Sequence, residues 1–233
     1  MEHAAPQTAR WRALASLVVF STVMPATMFI AAGRIDWGMG WLFVVLLLSV
    51  ALGSRFMAGR RHPDLIEERA TSLHRAEVPA WDRALVGVLG LCPLAMMLIA
   101  GLNQRYGWTP HVPSALQWAA AVAIVGGGMF SGWAMVVNRF FSAVVRIQRD
   151  RGQSVVTAGP YRVVRHPGYA GSVVFNLAAP LMLDAYWAFI PGVLAVAVIV
   201  IRTSIEDRML RAQLDGYEDY AQQTRFRLVP GIW

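Results

Sequence analysis

Apolar residues in this chain fall in long uninterrupted blocks, without the helical or alternating spacing of a half-buried element. The blocks run from about Ala13 to Ala32, Gly40 to Ala58, Ala84 to Leu102 and Leu116 to Val137. Each is roughly the 20 residues that cross the hydrocarbon core of a bilayer as a helix. A longer apolar region, from Tyr169 to Ile201, is interrupted by Pro180, Asp184 and Pro191. It is too long for one ordinary span and predicts a tight helical hairpin, with Tyr186 and Trp187 of its tip at the membrane interface. The fold predicted is all-α integral membrane, with about six transmembrane crossings, the last two a short helical hairpin, followed by a C-terminal helix.

The polar segments between the blocks are unequal. Residues 59–83 carry mixed charge (Asp64, Glu67, Glu68, Arg69) and read as an interfacial helix joining two spans. Residues 139–167 contain two β-branched runs, 144–148 and 154–157, separated by Asp150-Arg151-Gly152, which predict extended chain or a small hairpin at the membrane surface. The tail from Thr203 to about Gln223 reads as helical with a break at Gly216. The chain thus divides into residues 1–138, four spans, and residues 139–233, where the polar segments suited to chemistry lie. Gly126, Gly127, Gly128 and Gly132 give the fourth span a face of small residues, suited to close helix packing or to the wall of a lipid tunnel.

Composition sharpens this picture. Of 233 residues, 56% are hydrophobic and 15% charged, well below the roughly 25% charged residues of a soluble domain. The net charge is +7, and all 21 basic residues are arginine. They are dispersed between the apolar blocks, which fits side chains snorkelling to lipid phosphates and argues against a nucleic-acid surface. Counted per segment they alternate two, one, six, one, six, none, five. By the positive-inside rule this places both termini, and the two polar segments, in the cytoplasm, as for a protein of a bacterial inner membrane. Cys92 is the only cysteine, so there is no intramolecular disulfide, and its apolar setting suits a buried thiol. His3, His62, His74, His111 and His166 are too scattered to form a metal site.

Candidate chemistry concentrates in residues 157–169. Gly159-Pro160 marks a turn, and His166-Pro167 holds His166 extended just before a helix begins. Amides at that helix start favour an anionic group, and Arg165, His166, Tyr161 and Tyr169 add donors around it. The same residues would also make a basic elbow touching lipid phosphates. Arg61-His62-Pro63 repeats the tripeptide ahead of an acidic helix, where helix initiation explains it. Arg202 and Glu206 share a helix face four residues apart, as an ion pair or as functional groups at the inner edge of a bundle.

Together, Gly159-Pro160-Tyr161, Arg165-His166-Pro167, Tyr169, Gly171, Arg202, Glu206-Asp207, Tyr217, Tyr220 and the closing Leu228-Val229-Pro230-Gly231 resemble the isoprenylcysteine carboxyl methyltransferase family, which is related to the membrane phospholipid methyltransferases. The likeness is strong from about Phe140 to Trp233 and extends to the first four spans only in hydropathy. It implies an S-adenosyl-L-methionine-dependent enzyme, its cofactor enclosed on the cytoplasmic side by residues 139–233 and its acceptor a lipophilic small molecule or lipidated chain entering from the bilayer. By position it implies cofactor contacts from Gln153, Ser154, Val155, Val156, Tyr161, His166, Pro167, Gly168, Tyr169 and Glu206. Arg202 is implied as the residue that orients the substrate, with Arg202 and Glu206 together as the catalytic pair. Two departures stand out: Asp207 replaces the second glutamate of a family pair, and Arg146 occupies the place of a polar glutamine.

Methyl transfer from a sulfonium needs alignment and desolvation more than acid–base groups, which suits a site without a metal or a dinucleotide glycine fingerprint. A carboxylate acceptor, a phospholipid ethanolamine amine and a thiol all remain open, as do a sterol-reductase-like enzyme using NADPH and a non-catalytic membrane protein; oligomeric state is open too. Reporter fusions test the predicted topology. Alkaline phosphatase fused after Gly107 is expected to be active and the same reporter after Trp233 inactive; the reverse pattern would invert the orientation.

Overall fold

The computed structural model of this chain describes residues 7–72 and 77–233. His3, and His74 and Arg75 of the interfacial segment, lie outside those residues, as do the side chains of Arg10 and Arg12. Within them are eight α-helices: α1 (Gln7–Ala32), α2 (Gly38–Arg61), α3 (Pro63–Thr71), α4 (Ala80–Tyr106), α5 (Ser114–Val137), α6 (Pro167–Met182), α7 (Phe189–Gln213) and α8 (Tyr217–Gln223). Four helical segments are long and apolar enough to cross a membrane: Gly38–Arg61, Ala80–Tyr106, Ser114–Val137 and Tyr186–Gln213. The protein is an integral membrane protein built of helices, and the four apolar blocks of the sequence each became one helix.

The hairpin forms where the interrupting residues predict it, but its arms are unequal. The first arm, α6, has 16 residues, whereas α7 has 25 and is not short. Its C-terminal half leaves the apolar region, and there Arg202, Glu206 and Asp207 find partners within the protein. At the tip, Asp184 takes a left-handed backbone conformation with φ 58°. Its side chain is anchored to the α4–α5 loop, accepting from the Val112 amide at 2.5 Å and lying 2.6 Å from His111 Nδ1. Asn103 of α4 donates to the Asp184 carbonyl at 2.6 Å. The fold-back is thus pinned by two groups of the α4–α5 loop and one of α4.

Both arginine–histidine–proline elbows start helices. Pro63 and Pro167 sit in the first turn of α3 and α6, each after an extended histidine, where a proline costs no hydrogen bond. The β-branched runs form neither strand nor hairpin among the described residues. Residues 144–148 and 154–157 are extended chain around a 3₁₀ turn at Arg149–Arg151.

Glycines set how closely the helices approach. A Cβ added at Gly171 of α6 would lie 2.3 Å from the Gly127 carbonyl of α5, and one at Gly132 would lie 2.2 Å from Ser54 Oγ of α2. One at Gly128 would meet Val50 at 2.6 Å. Gly127, Gly128 and Gly132 therefore serve close packing of α5 against α6 and α2, whereas Gly126 has no neighbour within 4 Å of an added Cβ. Gly171→Ala should cost about 1–3 kcal/mol through overpacking. Gly53→Ala, with no atom within 4 Å of the added carbon, should be neutral or slightly stabilising in the same thermal-unfolding measurement in detergent.

A second constraint is ionic. Asp82, in the first turn of α4, is fully buried and receives Arg202 Nε at 2.7 Å and Nη2 at 3.2 Å. Asp82 also accepts from the Val145 amide at 2.8 Å, and Arg202 donates to the Ala143 carbonyl at 2.9 Å. One buried pair thereby ties α4, α7 and the extended segment together. Removing one partner leaves an unmatched buried charge, so Asp82→Ala should destabilise by about 3–5 kcal/mol. Asp82→Asn, which keeps a hydrogen-bond acceptor, should lose less in the same unfolding assay.

Candidate active site

Where α5, α6 and α7 meet the extended segment, they enclose a cavity of about 330 Å³. That is within the usual size of a small-molecule site, about 300–1,000 Å³. Gln153, Ser154, Val155, Val156, Tyr161, His166, Pro167, Gly168, Tyr169, Arg202 and Glu206 all line it. These residues span 54 positions of sequence only because the α6–α7 hairpin returns the chain to its starting point.

One wall is organised by Asp207, which is completely buried on α7. Arg165 clamps it through Nε at 2.7 Å and Nη2 at 3.0 Å, and its remaining terminal nitrogen donates to the carbonyls of Thr224 (2.8 Å) and Arg225 (2.7 Å). Arg227 and Arg211 reach the same carboxylate at 3.0 Å and 3.3 Å, and the Tyr217 hydroxyl donates to it at 3.0 Å. His166 Nε2 lies 3.3 Å away. The backbone amides of Arg165 and His166 donate to the carbonyls of Phe226 (2.9 Å) and Arg227 (3.0 Å), laying the tail alongside the elbow. Arg165 is therefore committed to the frame, and its charge is matched. Bonding to Asp207 holds the Arg165 guanidinium's pKa above its ordinary value despite the opposing effect of burial.

Along the next wall His166 stacks on Tyr169, with ring centroids 5.8 Å apart and planes 17° from parallel. The Tyr169 hydroxyl donates to Glu206 Oε2 at 2.6 Å, and the Arg202 guanidinium lies 5.4 Å from the Tyr169 ring centroid. Arg202 and Glu206 do not pair with each other; Asp82 takes the arginine and Tyr169 takes the glutamate. The sequence reading missed Asp82, although a lone carboxylate at the threshold of an apolar block is the signal that finds it.

Tyr161 closes the opposite side. Its hydroxyl accepts from Asn138 Nδ2 at 2.8 Å, and Tyr220 donates to its carbonyl at 2.7 Å. Burial pushes the phenols of Tyr161, Tyr217 and Tyr220 well up, so all three stay neutral. The backbone amides of residues 154–157 donate to no group among the described residues, leaving a polar edge beside the cavity. Arg146 is held by Glu68 at 2.9 Å and Asp150 at 2.8 Å, with Glu77 at 3.4 Å. Its charge is spent on protein carboxylates, although it borders the cavity. Among the described residues no cluster of three His, Cys, Asp or Glu side chains suits a metal ion.

These walls offer a carboxylate for a cationic group, guanidinium groups for an anionic one, aromatic faces, and an open backbone edge for a heterocycle. An amino acid joined to a nucleoside through a sulfonium presents that combination, so the residues present fit S-adenosyl-L-methionine.

Comparison with known proteins points the same way. Residues 116–215 match the phospholipid methyltransferase family. A probable protein-S-isoprenylcysteine O-methyltransferase of Oryza sativa subsp. indica is 30% identical over 112 residues, covering 46% of this chain and 58% of the rice protein. Protein-S-isoprenylcysteine O-methyltransferase A of Arabidopsis thaliana is 26% identical over 88 residues, 38% of this chain and 41% of the plant protein. The chain therefore spans less than two thirds of the length of the curated relatives it matches. The matched region contains α5, the extended segment, the elbow and the hairpin, and so most of the cavity lining. Over residues 116–215 this protein is similar to the phospholipid methyltransferase family, which uses S-adenosyl-L-methionine.

Proposed function

We propose that this protein is an S-adenosyl-L-methionine-dependent membrane methyltransferase acting on a lipophilic acceptor, with a carboxylate oxygen as the preferred methyl-accepting atom. The observation that carries this reading is the convergence of residues 153–156, Tyr161, residues 166–169, Arg202 and Glu206 on one cavity inside the family-matched region. The cofactor supplies an activated methyl group on a sulfonium, which leaves its bonding pair on sulfur as the acceptor's lone pair forms the new bond to carbon.

The chain's own groups bind and align. Residues 153–156 offer their open backbone edge, and Tyr161 and His166 through Tyr169 present aromatic and amide surface. Glu206, oriented by the Tyr169 hydroxyl, places negative charge beside the cationic end of the cofactor and thereby favours its binding. Arg202, fixed by Asp82, leaves one terminal nitrogen to meet the acceptor. Burial of these walls excludes water, which strengthens every charge interaction inside.

Titration of purified protein with S-adenosylhomocysteine tests the reading directly. Stoichiometric binding is expected, and a well-folded sample that binds none would overturn it. Glu206→Gln is expected to weaken that binding about tenfold or more, since hydrogen bonds to charged groups contribute about 1.5–3 kcal/mol. Cells fed methyl-labelled methionine should place label in a lipophilic, base-labile ester; label in an ethanolamine lipid would shift the acceptor to an amine.

A further inference from the structure

Arg202 is the cation assigned to the acceptor above, yet its fork is already occupied by Asp82 and its charge is cancelled there. A neutralised guanidinium neither attracts a carboxylate strongly nor repels an amine. The charge that discriminates between acceptors has to come from elsewhere on the cavity wall.

Arg69 supplies it. It projects from α3, outside the family-matched region, and borders the cavity together with Arg202 and Tyr169. The only hydrogen bond of its side chain among the described residues runs from Nη1 to the Phe141 carbonyl at 3.1 Å, and its guanidinium lies 5.4 Å from the Phe141 ring centroid. No carboxylate pairs with it among the described residues, whereas its neighbour Glu68 is turned away onto Arg146. Arg55 of α2 is near enough to act on the Arg69 charge, and it too has no carboxylate partner among the described residues, although it does not line the cavity. Burial, with the nearby Arg55 and Arg202 cations, lowers the Arg69 guanidinium to about 10. It is still charged at neutral pH, under conditions that an incoming anion would relieve.

We propose that Arg69 is the specificity-determining residue that reads an anionic headgroup on the acceptor, gripping it opposite the fixed edge of Arg202. The ligand class is a single-chain amphiphile ending in a carboxylate or a phosphate, and amphiphilic amines are rejected. This inference rests on the methyltransferase reading for the acceptor's role, but the anion subsite is open to measurement without turnover.

The probes are radiolabelled N-dodecanoylglycine, dodecyl phosphate and dodecylamine, retained on protein in a neutral maltoside detergent, with S-adenosylhomocysteine binding measured on the same samples. Both anionic probes should be retained at a stoichiometry near one, at least tenfold more tightly than the amine, and the tighter of the two identifies the headgroup. Arg69→Gln should weaken them tenfold or more with S-adenosylhomocysteine binding intact, Arg69→Lys should weaken them less, and Arg60→Gln on the exposed end of α2 should change nothing. Equal retention of the amine by the unaltered protein overturns the proposal, as does unchanged retention of the anions by Arg69→Gln. An equal loss in Arg60→Gln also overturns it, by showing diffuse interfacial charge. If Arg69→Gln loses S-adenosylhomocysteine binding too, the anion-over-amine preference of the unaltered protein and of Arg69→Lys decides. If the unaltered protein binds anions selectively but not S-adenosylhomocysteine, the cofactor reading falls while the anion subsite stands.

Discussion

The carboxylate of Asp207 is buried without any exposed surface, and the architecture of the cavity follows from the need to satisfy it. A buried carboxylate is costly unless charge and hydrogen bonds surround it. Here the compensation comes from the elbow (Arg165, His166), from α7 itself (Arg211), from α8 (Tyr217) and from the tail (Arg227). Four parts of the chain are thereby held at one point, three of them with apolar contacts beside it between α7, α8 and Tyr161. The C-terminal residues are laid alongside the elbow, with Leu228 buried.

Asp82 and Arg202 perform the corresponding task at the other end of the site. Their pairing draws the start of α4 onto α7 and hangs the extended segment from both. Glycine contacts between α5, α2 and α6 then fix how far the bundle can close. With ionic anchors on two sides and backbone contact on a third, the cavity is a pre-formed space, and side chains such as Tyr169 and Glu206 reach it already oriented. Pre-organisation of this kind is what an alignment-limited reaction requires.

The charge inventory separates frame from function. Arg146, Arg165 and Arg202 all face buried carboxylates and act as struts. Arg69 borders the same cavity with only a carbonyl and an aromatic ring to hold it. Its guanidinium is carried by α3, before the family-matched region begins.

Much of the fold was legible in order along the chain. Block length set the helices, Pro180, Asp184 and Pro191 set the hairpin, Gly216 broke the tail, and His-Pro started α3 and α6. These features are local, governed by backbone sterics and by the cost of polar groups in lipid. The eleven candidate residues could also be named, because the motif set carrying the family resemblance is contiguous apart from one hairpin. Ion-pair partners could not. Arg202 and Glu206 read either as an i,i+4 pair or as functional groups at the bundle's inner edge, and Arg202 in fact pairs with Asp82, 120 positions away. Arg165 reads as a site cation but is consumed by Asp207, and Gly127, Gly128 and Gly132 of α5 were compatible with packing or a tunnel until α2 and α6 were seen against them. Pairing of buried charges depends on which helices lie within a few ångströms of each other, and in a membrane bundle that is decided by packing among spans whose apolar faces are nearly interchangeable. The sequence determined which elements exist and which residues are capable of chemistry; only the tertiary structure decided which charges pair to hold the site together and that, among the described residues, Arg69 borders the cavity without a carboxylate.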